Sequence, residues 1–329
     1  MEKSTHKCEI VPVVLEKHPN ADTLSTVKIY GYNVCVATKD WEGIDIGAYV
    51  VPDSLVPNSG PFMWLFNEAN KNIDKEQYRI RVKKLRGVVS MGLLVPAPEG
   101  SKIGDDVSEI LNVARYEPPE PSSTSGEVEK SPELYTPKYD VDSIYRYEHL
   151  FTKGELVNVT EKIHGANGRW VFTNGRFYCG SRGQWKREHT DIIWWKALHG
   201  STELKEFLMS HPDIVVYGEV YGSVQSLKYG HASGKVSMAA FDILNGSTWV
   251  DAKEARNMAP TIPWVPLIAA RYPFDIEELK ILADGPSLIP GAEHMREGIV
   301  IKPMKERTCL EIGRVNLKLV SNVFLEKDK

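Results

Sequence analysis

A single lysine, Lys162, lies between a strand-like run and a turn-prone stretch in the segment VTEKIHGANGRWVF (159–172). A primary amine attacks an electrophile only when it is neutral, and roughly one lysine in a thousand or fewer is neutral at pH 7. A nucleophilic lysine therefore needs cationic neighbours, desolvation or a metal ion to lower its pKa. If it attacks the α-phosphate of a nucleotide, it also needs cations for the phosphate oxygens and carboxylates for a divalent metal ion.

The remaining strand-like segments contain such groups in order along the chain. They are Arg182, Glu219, Glu297, Lys302 and Lys318, and the aromatic residue Phe241 could stack on a base. Charged side chains in apolar strands are costly unless they are paired or liganded. Each residue alone also has an ordinary explanation, such as an exposed lysine, a salt bridge or a core aromatic ring. Their joint occurrence favours nucleotidyl transfer.

Six ordered segments resemble the collinear motifs of the covalent nucleotidyltransferases, the lysine–adenylate ligases: EKIHGAN, SRG, YGEVYG, AFDI, EGIVIKP and NLKLV. The resemblance spans residues 159–321. The variant K-x-H-G-x-N is similar to that of the nick-sealing RNA ligases, whereas DNA ligases and capping enzymes usually have K-x-D-G. Together with an OB-like N-terminal domain, this pattern resembles the Deinococcus/Naegleria-type RNA ligases.

The resemblance implies that ATP and Mg²⁺ or Mn²⁺ are used. Lys162 would attack the α-phosphate of ATP, form a lysyl–AMP adduct and release pyrophosphate. Glu297 would hold the metal ion, and Glu219 would bind the ribose or the water shell of the metal. Lys302 and Lys318 would neutralise the α-phosphate and the leaving group.

The same resemblance implies roles for the residues around the lysine. Glu161 and Ile163 would lie against the adenine, on which Phe241 would stack. Asn167 and Arg182 would contact phosphate or ribose, and Arg182 would also act in the later steps. His164 would assist after lysine adenylation. AMP would then pass to a 5′-phosphate end, and a 3′-OH would displace it and seal the break.

One position departs from the pattern. Many relatives have two lysines, K-x-K, in the last motif, and here the first is Asn316. Lys318 would then carry most of that positive charge, with compensation from Lys302.

The motifs lie in the second of two predicted domains. The segment EPPEPSSTSGEVEKSPELYTP (117–137) is rich in Pro, Glu and Ser and has few large apolar residues, which is typical of a linker. It separates an N-terminal domain, residues 1–116, from a nucleotidyltransferase domain, residues 138–329. Deletion of residues 1–116 is expected to spare adduct formation and to weaken sealing.

Short β-prone runs with Gly and Pro between them predict that the N-terminal domain is a small β-barrel. Its segment HPNADTLSTVKI (18–29) resembles the opening of tRNA-binding OB-type domains. The run QYRIRVKKLRG (77–87) is interpreted as one strand with Arg79, Arg81 and Lys83 on one face. That face suits a phosphate-binding groove or, equally, a solvated edge strand.

The second domain mixes strands and helices, with a type I′ hairpin predicted at Asn174-Gly175. The fold class predicted for the chain is therefore α+β, an OB-like barrel followed by mostly antiparallel sheets with flanking helices. The segment GQWKRE (183–188) is compatible with a contact to the nicked strand or with the start of a surface helix.

Composition excludes several classes of protein. A net charge of −4 argues against a non-specific DNA coater, so contact with nucleic acid needs a local basic surface. The four cysteines form no CxxC pair, and the nine histidines show no HExxH arrangement. No apolar run approaches the roughly 18 residues of a membrane span. We expect a soluble, cytoplasmic monomer that acts on nucleic acid containing a nick or break.

Two other classes compete with the RNA ligase. A DNA ligase or a guanylyltransferase would use the same lysine chemistry, but His164 stands where those enzymes usually have aspartate. A non-catalytic binding protein for tRNA or other nucleic acid would rest on the N-terminal barrel with a degenerate second domain. Such degeneracy is argued against by the intact Lys162, Arg182, Glu219, Glu297 and Lys318.

Overall fold

The computed structural model describes residues 6–68, 74–116 and 127–327. The chain forms two compact units, one within residues 1–119 and the other within residues 120–328. Among the described residues, no helix is both long and apolar enough to cross a membrane.

The described part of the N-terminal unit consists of short strands and two 3₁₀ turns (Thr38–Asp40 and Gly60–Leu65). The strands are β1 (Cys8–Pro12), β2 (Leu15–Lys17), β3 (Leu24–Ile29), β4 (Tyr32–Ala37), β5 (Ile46–Val50), β6 (Ser54–Pro57), β7 (Gln77–Arg79), β8 (Lys83–Leu85), β9 (Val88–Ser90), β10 (Leu93–Pro96) and β11 (Ala114–Arg115). They pair in the orders β1-β5-β10, β2-β3-β4, β11-β6-β7 and β8-β9, with antiparallel neighbours throughout.

The run 77–87 is not the single strand that the sequence predicts. It forms β7 and β8, which belong to different sheets, because Ile80 between them turns into the core and is only 4% exposed. The backbone N–H of Ile80 donates to the carbonyl of Ser54, and its carbonyl accepts from the N–H of Asp53. Arg79 is then paired with the Asp53 carboxylate at 2.6 Å, so it is separated from the basic residues that follow.

The predicted linker falls partly outside the described residues, since residues 117–126 are not among them. Residues 127–137 pack on the C-terminal unit. There β12 (Val128–Glu129) pairs with β17 (Trp185–Lys186). The carbonyl of Pro137 accepts a hydrogen bond from the Tyr217 hydroxyl at 2.9 Å. The linker interpretation is therefore wrong for residues 127–137, whose backbone is tied to the sheet.

The C-terminal unit contains the remaining described strands and the helices. The strands after β12 are β13 (Asp142–Ser143), β14 (Leu156–Lys162), β15 (Ala166–Thr173), β16 (Arg176–Ser181), β17, β18 (Ile214–Gly222), β19 (Val236–Asn245), β20 (Thr248–Trp249), β21 (Leu267–Pro273), β22 (Gly298–Pro303), β23 (Thr308–Cys309), β24 (Gly313–Arg314) and β25 (Leu317–Val320). The helices are α1 (Ile144–Tyr147), α2 (Ile193–His199), α3 (Thr202–Ser210), α4 (Ala252–Met258), α5 (Ile276–Ala283) and α6 (Asn322–Lys327).

Two sheets form the frame of this unit. One has seven strands in the order β12-β17-β16-β15-β18-β19-β20, and the other has five in the order β13-β25-β22-β14-β21. All of their strand pairs are antiparallel except β13 with β25. This architecture confirms the predicted α+β class with mostly antiparallel sheets and flanking helices.

Each large sheet has one apolar face covered by helices. On the seven-stranded sheet, side chains such as Trp170 and Val216 pack with α2, α3 and α4. On the five-stranded sheet, Val159 and Ile301 pack with α1 and α5. Since side chains alternate along a strand, the polar residues of the same strands point to the opposite faces. The functional residues are on those faces.

The hairpin of β15 and β16 turns at Asn174 and Gly175, which have φ angles of +51° and +75°. This confirms the predicted type I′ geometry. The segment 183–188 does not start a surface helix, because Trp185 and Lys186 form the buried strand β17 and are 3% and 1% exposed. Contact of this segment with the nicked strand stays a prediction.

Candidate active site

Lys162 is the last residue of β14, where the strand gives way to the turn-prone HGAN segment. It is paired in register with Gly298 of β22. Gly165 follows at a close backbone approach, since a Cβ atom there would lie 2.2 Å from the carbonyl oxygen of Val220. Only glycine allows the chain to pass so near β18. This approach brings the end of β14 next to the polar face of the seven-stranded sheet.

The Lys162 ammonium donates a hydrogen bond to Glu297 Oε1 at 2.6 Å. The other carboxylate oxygen, Oε2, lies 3.6 Å from His164 Nδ1 and has no hydrogen-bond partner among the described residues. The Lys162 side chain is 25% exposed, and that of Glu297 is 11% exposed. The lysine is thus held by a carboxylate but remains accessible to a ligand.

Glu219 is placed on the facing sheet, where it pairs across strands with Asn167. The backbone N–H of Gly165 donates to its carboxylate, and Glu219 interacts electrostatically with both Lys162 and Glu297. The side-chain oxygen of Asn167 is buried without a hydrogen-bond partner among the described residues. Two carboxylates therefore act on the lysine, and the amide of Asn167 lies beside one of them, that of Glu219.

The charges of these groups are strongly coupled. Burial disfavours the ammonium of Lys162, but the carboxylates of Glu297 and Glu219 outweigh burial and raise its pKa above the ordinary lysine value. Burial would raise the pKa of Glu297, yet Lys162 and His164 lower it below the usual value. Burial, together with the charge of Glu297, raises the pKa of Glu219 to about 8 despite the opposing effect of Lys162.

A nucleophilic lysine is expected to have a pKa lowered by cationic neighbours, desolvation or a metal ion, and here desolvation is outweighed by the carboxylates. In this structure the groups in contact with the lysine are anions, so it is held as an ammonium ion. A metal ion that engaged Glu297 and Glu219 would remove the interaction that keeps the proton on Lys162.

A second polar cluster surrounds Lys302 on the same face of the five-stranded sheet. Its ammonium donates to Asp242 Oδ2 and to the carbonyl of Phe241, both at 2.7 Å. Arg314 donates to the same carboxylate oxygen at 2.9 Å, and the Tyr139 hydroxyl also bonds to it. Asp242 is fully buried and Lys302 is 2% exposed.

Burial would raise the pKa of Asp242, but Arg314 and Lys302 hold it below its ordinary value. The pKa of Lys302 is lowered by burial in spite of Asp242. Sequence reasoning placed Lys302 at the α-phosphate, whereas the structure places it in this cluster. It lies four residues along β22 from Gly298, the partner of Lys162, which corresponds to about 13 Å.

The strand irregularity in β19 explains the position of Phe241. The register with β18 shifts between Tyr217 and Gly218, which leaves Phe241 as an extra residue in β19. The consecutive residues Phe241 and Asp242 therefore both lie on the polar side of the sheet. The ring of Phe241 packs on Tyr139 at a centroid distance of 4.5 Å and also borders the buried cluster that contains Ile163. Its partly exposed ring lies between the two polar clusters.

Glu161 points away from Lys162, as its neighbour in a strand must. Its carboxylate accepts hydrogen bonds from the Ser287 hydroxyl at 2.6 Å and from the Leu288 N–H at 2.7 Å. Glu161 is 1% exposed. In this structure it anchors the segment before β22 and does not share the face of Lys162.

Of the two remaining predicted residues, Arg182 directly follows β16 and Lys318 lies in β25. Arg182 makes a two-pronged ion pair with Asp140, at 2.8 and 2.6 Å. Lys318 pairs in register with Val300, which places it on the same face as Lys162 and Lys302. The structure therefore brings Lys162, His164, Asn167, Glu219 and Glu297 into one site, with Lys302 and Phe241 beside it.

Sequence reasoning missed three residues that hold the site together. Tyr229, 1% exposed, accepts the backbone N–H of His164 at 2.6 Å. Asp242 and Arg314 form the charged centre around Lys302. Asp242 follows Phe241 in the AFDI motif, and Arg314 lies two residues before Asn316, so the motif spacing offered a signal for both. Tyr229 lies in a loop without any such signal.

The donor set fits a divalent metal ion that arrives with a nucleotide. Glu297 Oε2 and Asn167 Oδ1 are buried oxygens without hydrogen-bond partners in the described residues. Within the described ranges no three His, Cys, Asp or Glu residues form a ready-made metal cluster. Magnesium-type ions are commonly held by one or two carboxylates together with substrate phosphates and water. Glu219 and Glu297 could supply those carboxylates.

A family model described as RNA ligase matches residues 155–320, more than half of the chain. The chain belongs to the RNA ligase family. A second model, described as an OB-fold domain, matches residues 9–97 and confirms the predicted nature of the N-terminal unit. A comparison with curated proteins finds no match.

Solved structures of Naegleria gruberi RNA ligase have the same fold. The structure with PPi has a TM-score of 0.81 at 22% identity and covers 99% of each chain. A lysine-to-methionine mutant with AMP and Mn has a TM-score of 0.81 at 22% identity, with 98% of each chain covered. A lysine-to-alanine mutant with ATP and Mn has a TM-score of 0.80 at 23% identity, with 97% of this chain and 98% of the other covered.

Proposed function

We propose that this member of the RNA ligase family is an ATP-dependent enzyme that seals 3′-OH/5′-phosphate breaks through a covalent adenylate on Lys162. The observation that carries the proposal is the position of Lys162 between the carboxylates of Glu297 and Glu219. The structures of the Naegleria gruberi relative with ATP, AMP and Mn support the choice of nucleotide and metal.

In the first step Lys162 Nζ loses a proton and attacks the α-phosphorus of ATP. The N–P bond forms as the bond to the leaving pyrophosphate breaks, which gives lysyl–AMP. A Mg²⁺ or Mn²⁺ ion held by Glu297 and Glu219 would supply charge stabilisation for the phosphates. Lys318, on the same sheet face as Lys162, would balance the remaining negative charge, and Lys302 would act indirectly through Asp242 and the carbonyl of Phe241.

The adenine would enter beside Phe241, whose partly exposed ring lies between the two polar clusters. Ile163 is 3% exposed and would form the floor on which this ring and the base pack. Asn167, with its unpartnered oxygen, would contact the ribose or phosphate. We propose that Glu161 acts indirectly here, through Ser287 and Leu288.

In the later steps the 5′-phosphate of the nucleic acid attacks the adenylate, and the lysine leaves with the return of a proton. The 3′-OH then attacks the 5′-5′ pyrophosphate linkage, and AMP is released. Arg182, whose guanidinium is paired with Asp140 in this structure, would exchange that partner for phosphate. His164, next to Glu297, would assist after lysine adenylation. The natural substrate is proposed to be a nicked duplex with RNA on the 3′-OH side.

Labelling with α-³²P ATP tests the first step. The protein is incubated with ATP and Mg²⁺ or Mn²⁺, denatured and examined for covalent label, with labelled GTP in parallel. Label from ATP alone, absent in Lys162→Ala, is expected. The matched control is Lys153→Ala, because Lys153 is exposed and pairs with Asp275 outside the site. No label with either metal ion would refute the adenylate.

Nicked duplexes that differ only in the sugar of the 3′-OH strand test the substrate. Sealing of the RNA-ended nick at a much higher rate than the DNA-ended nick is expected. Equal rates would contradict the RNA preference, while the lysyl–adenylate chemistry would still stand.

A further inference from the structure

The hairpin formed by β8 and β9 carries exposed positive charge in a chain that is negative overall. Lys83 and Arg86 of the hairpin are exposed, and so is Arg81 just before it. Within the described ranges, no carboxylate lies within ion-pair distance of these three side chains, in contrast to Arg79 with its Asp53 partner. Since the net charge is −4, such a local surface is where an anionic polymer would be attracted.

The turn of this hairpin is unusual. Leu85 pairs with Val88, so Arg86 and Gly87 are the two turn residues, and their φ angles are +45° and +92°. A two-residue turn with both φ angles positive favours Asn or Asp at its first position and Gly at its second. Arginine in that place is strained, and strained residues are retained mainly where the surrounding structure and function require them.

Two side chains of the HPNADTLS segment form hydrogen bonds with the backbone of this turn. The ring of His18, 1% exposed, bonds through Nε2 to the carbonyl of Leu85 at 3.2 Å. The side-chain amide of Asn20 donates to the carbonyl of Arg86 at 2.9 Å. His18 Nδ1 accepts the backbone N–H of Asn20 at 3.1 Å, so Nε2 carries the proton that is donated to Leu85.

We propose that the β8–β9 hairpin is a phosphate-binding site for the backbone of the RNA substrate. This inference rests on the proposed function. Arg86 is the contact residue, because a guanidinium binds two phosphate oxygens at once. His18 and Asn20 are positioning residues that act by fixing the two carbonyls of the turn. Asn would fit the φ angle at this position but has no guanidinium. The strained arginine is therefore explained by the need for a guanidinium at the tip of a rigid turn.

The decisive variant is Arg86→Asn in the full-length protein. It creates an Asn-Gly turn, which suits the observed φ angles better than Arg-Gly, and it removes only the guanidinium. Its thermal stability is expected to equal or exceed that of the wild type. Binding to a fluorescently labelled nicked RNA duplex, measured by anisotropy without ATP, is expected to weaken about three- to tenfold at low salt. The plot of the logarithm of the association constant against the logarithm of the salt concentration has a negative slope, and the magnitude of that slope is expected to fall by about one.

The control is Lys102→Ala, which removes an exposed charge of the same unit outside the hairpin. It is expected to leave both affinity and salt slope unchanged. Asn20→Ala is expected to weaken binding in the wild-type background but not in the Arg86→Asn background. The reason is that Asn20 acts only by positioning Arg86, so its loss has no effect once the guanidinium is absent. Additive losses in the two backgrounds would contradict the positioning role.

Unchanged RNA affinity and salt slope in Arg86→Asn would overturn the inference. Formation of the Lys162 adduct with labelled ATP, measured on the same variants, separates this failure from failure of the proposed function. A wild-type protein that forms the adduct, combined with an Arg86→Asn variant that binds RNA normally, refutes only the hairpin site. A wild-type protein without detectable affinity for the duplex also refutes it.

Discussion

The buried carboxylate of Asp242 is expected to be the most sensitive point of the Lys302 cluster. It is fully buried and shares one oxygen between Lys302, Arg314 and the Tyr139 hydroxyl. In Asp242→Asn the side chain keeps its size, but Lys302 loses its counter-ion and Arg314 keeps only its ion pair with Glu306. Removal of one partner of a buried ion pair costs about 3–5 kcal/mol, because the charge left behind is uncompensated.

That free energy corresponds to a large change in thermal stability. For a unit of this size, 1 kcal/mol changes Tm by about 2–4 °C, so Asp242→Asn is expected to lower Tm by roughly 6–20 °C. Asp251→Asn is the matched control. Asp251 also pairs with a lysine, Lys305, but that lysine is 76% exposed and its interaction is screened by water. The control is expected to show only a small change, as measured by circular dichroism on heating.

The same variant tests whether the cluster positions the catalytic face. Lys302 also holds the carbonyl of Phe241, so its displacement is expected to misplace the ring that borders the nucleotide site. Adduct formation at a temperature well below the lowered Tm is expected to fall roughly ten- to a hundredfold, while Asp251→Asn keeps the wild-type rate. Equal Tm changes in the two variants would refute the reasoning about the buried charges.

Three further predictions concern the groups around the lysine. Tyr229→Phe removes the oxygen that accepts the His164 N–H. It is expected to lower the free energy of unfolding, measured with urea, by about 1–3 kcal/mol and to slow adduct formation. Glu297→Gln removes the charge that raises the pKa of Lys162, so the pH profile of its residual labelling is expected to move to lower pH. Glu219 has a folded-state pKa of about 8, well above the usual glutamate value of about 4.3, so the native state retains the proton longer than the unfolded state. Stability is therefore lost as pH rises between these values, and the Tm gain of Glu219→Gln over wild type is expected to be larger at pH 8 than at pH 5.

Each of these predictions has a clear contrary result. Tyr178→Phe removes the hydroxyl of a buried tyrosine on β16, and an equal loss of labelling in that variant would contradict a specific role for Tyr229. A pH profile that stays in place in Glu297→Gln would show that Glu297 does not control the proton on Lys162. A Tm difference for Glu219→Gln that is the same at both pH values would contradict the raised pKa of Glu219.

Much of the local structure could be predicted from the sequence because it depends on neighbouring residues. Asn174-Gly175 predicts its hairpin turn through the φ angles that these residues tolerate. The ordered motifs around Lys162, Glu219 and Glu297 correctly predict an RNA ligase family member.

Predictions failed where the environment depends on distant parts of the chain. The basic run 77–87 was interpreted as one strand, but burial of Ile80 divides it. Lys186 belongs to a segment predicted to be on the surface. In the structure β17 pairs with β12 at one edge and with β16 at the other, and the lysine is 1% exposed. Residue type alone does not reveal such burial, because a lysine with a hydrogen-bond partner, here Gln184, can be accommodated.

The sequence by itself determined which chemical groups are present and in what order, since nucleophile, carboxylates and cations can be read directly from the motifs. Only the tertiary structure decided which of them meet. Glu297 is 135 residues from Lys162, and the antiparallel pairing of β14 with β22 brings them together. The same packing paired Lys302 with Asp242, because a carboxylate stabilises a buried ammonium and Asp242 is the carboxylate on the facing sheet.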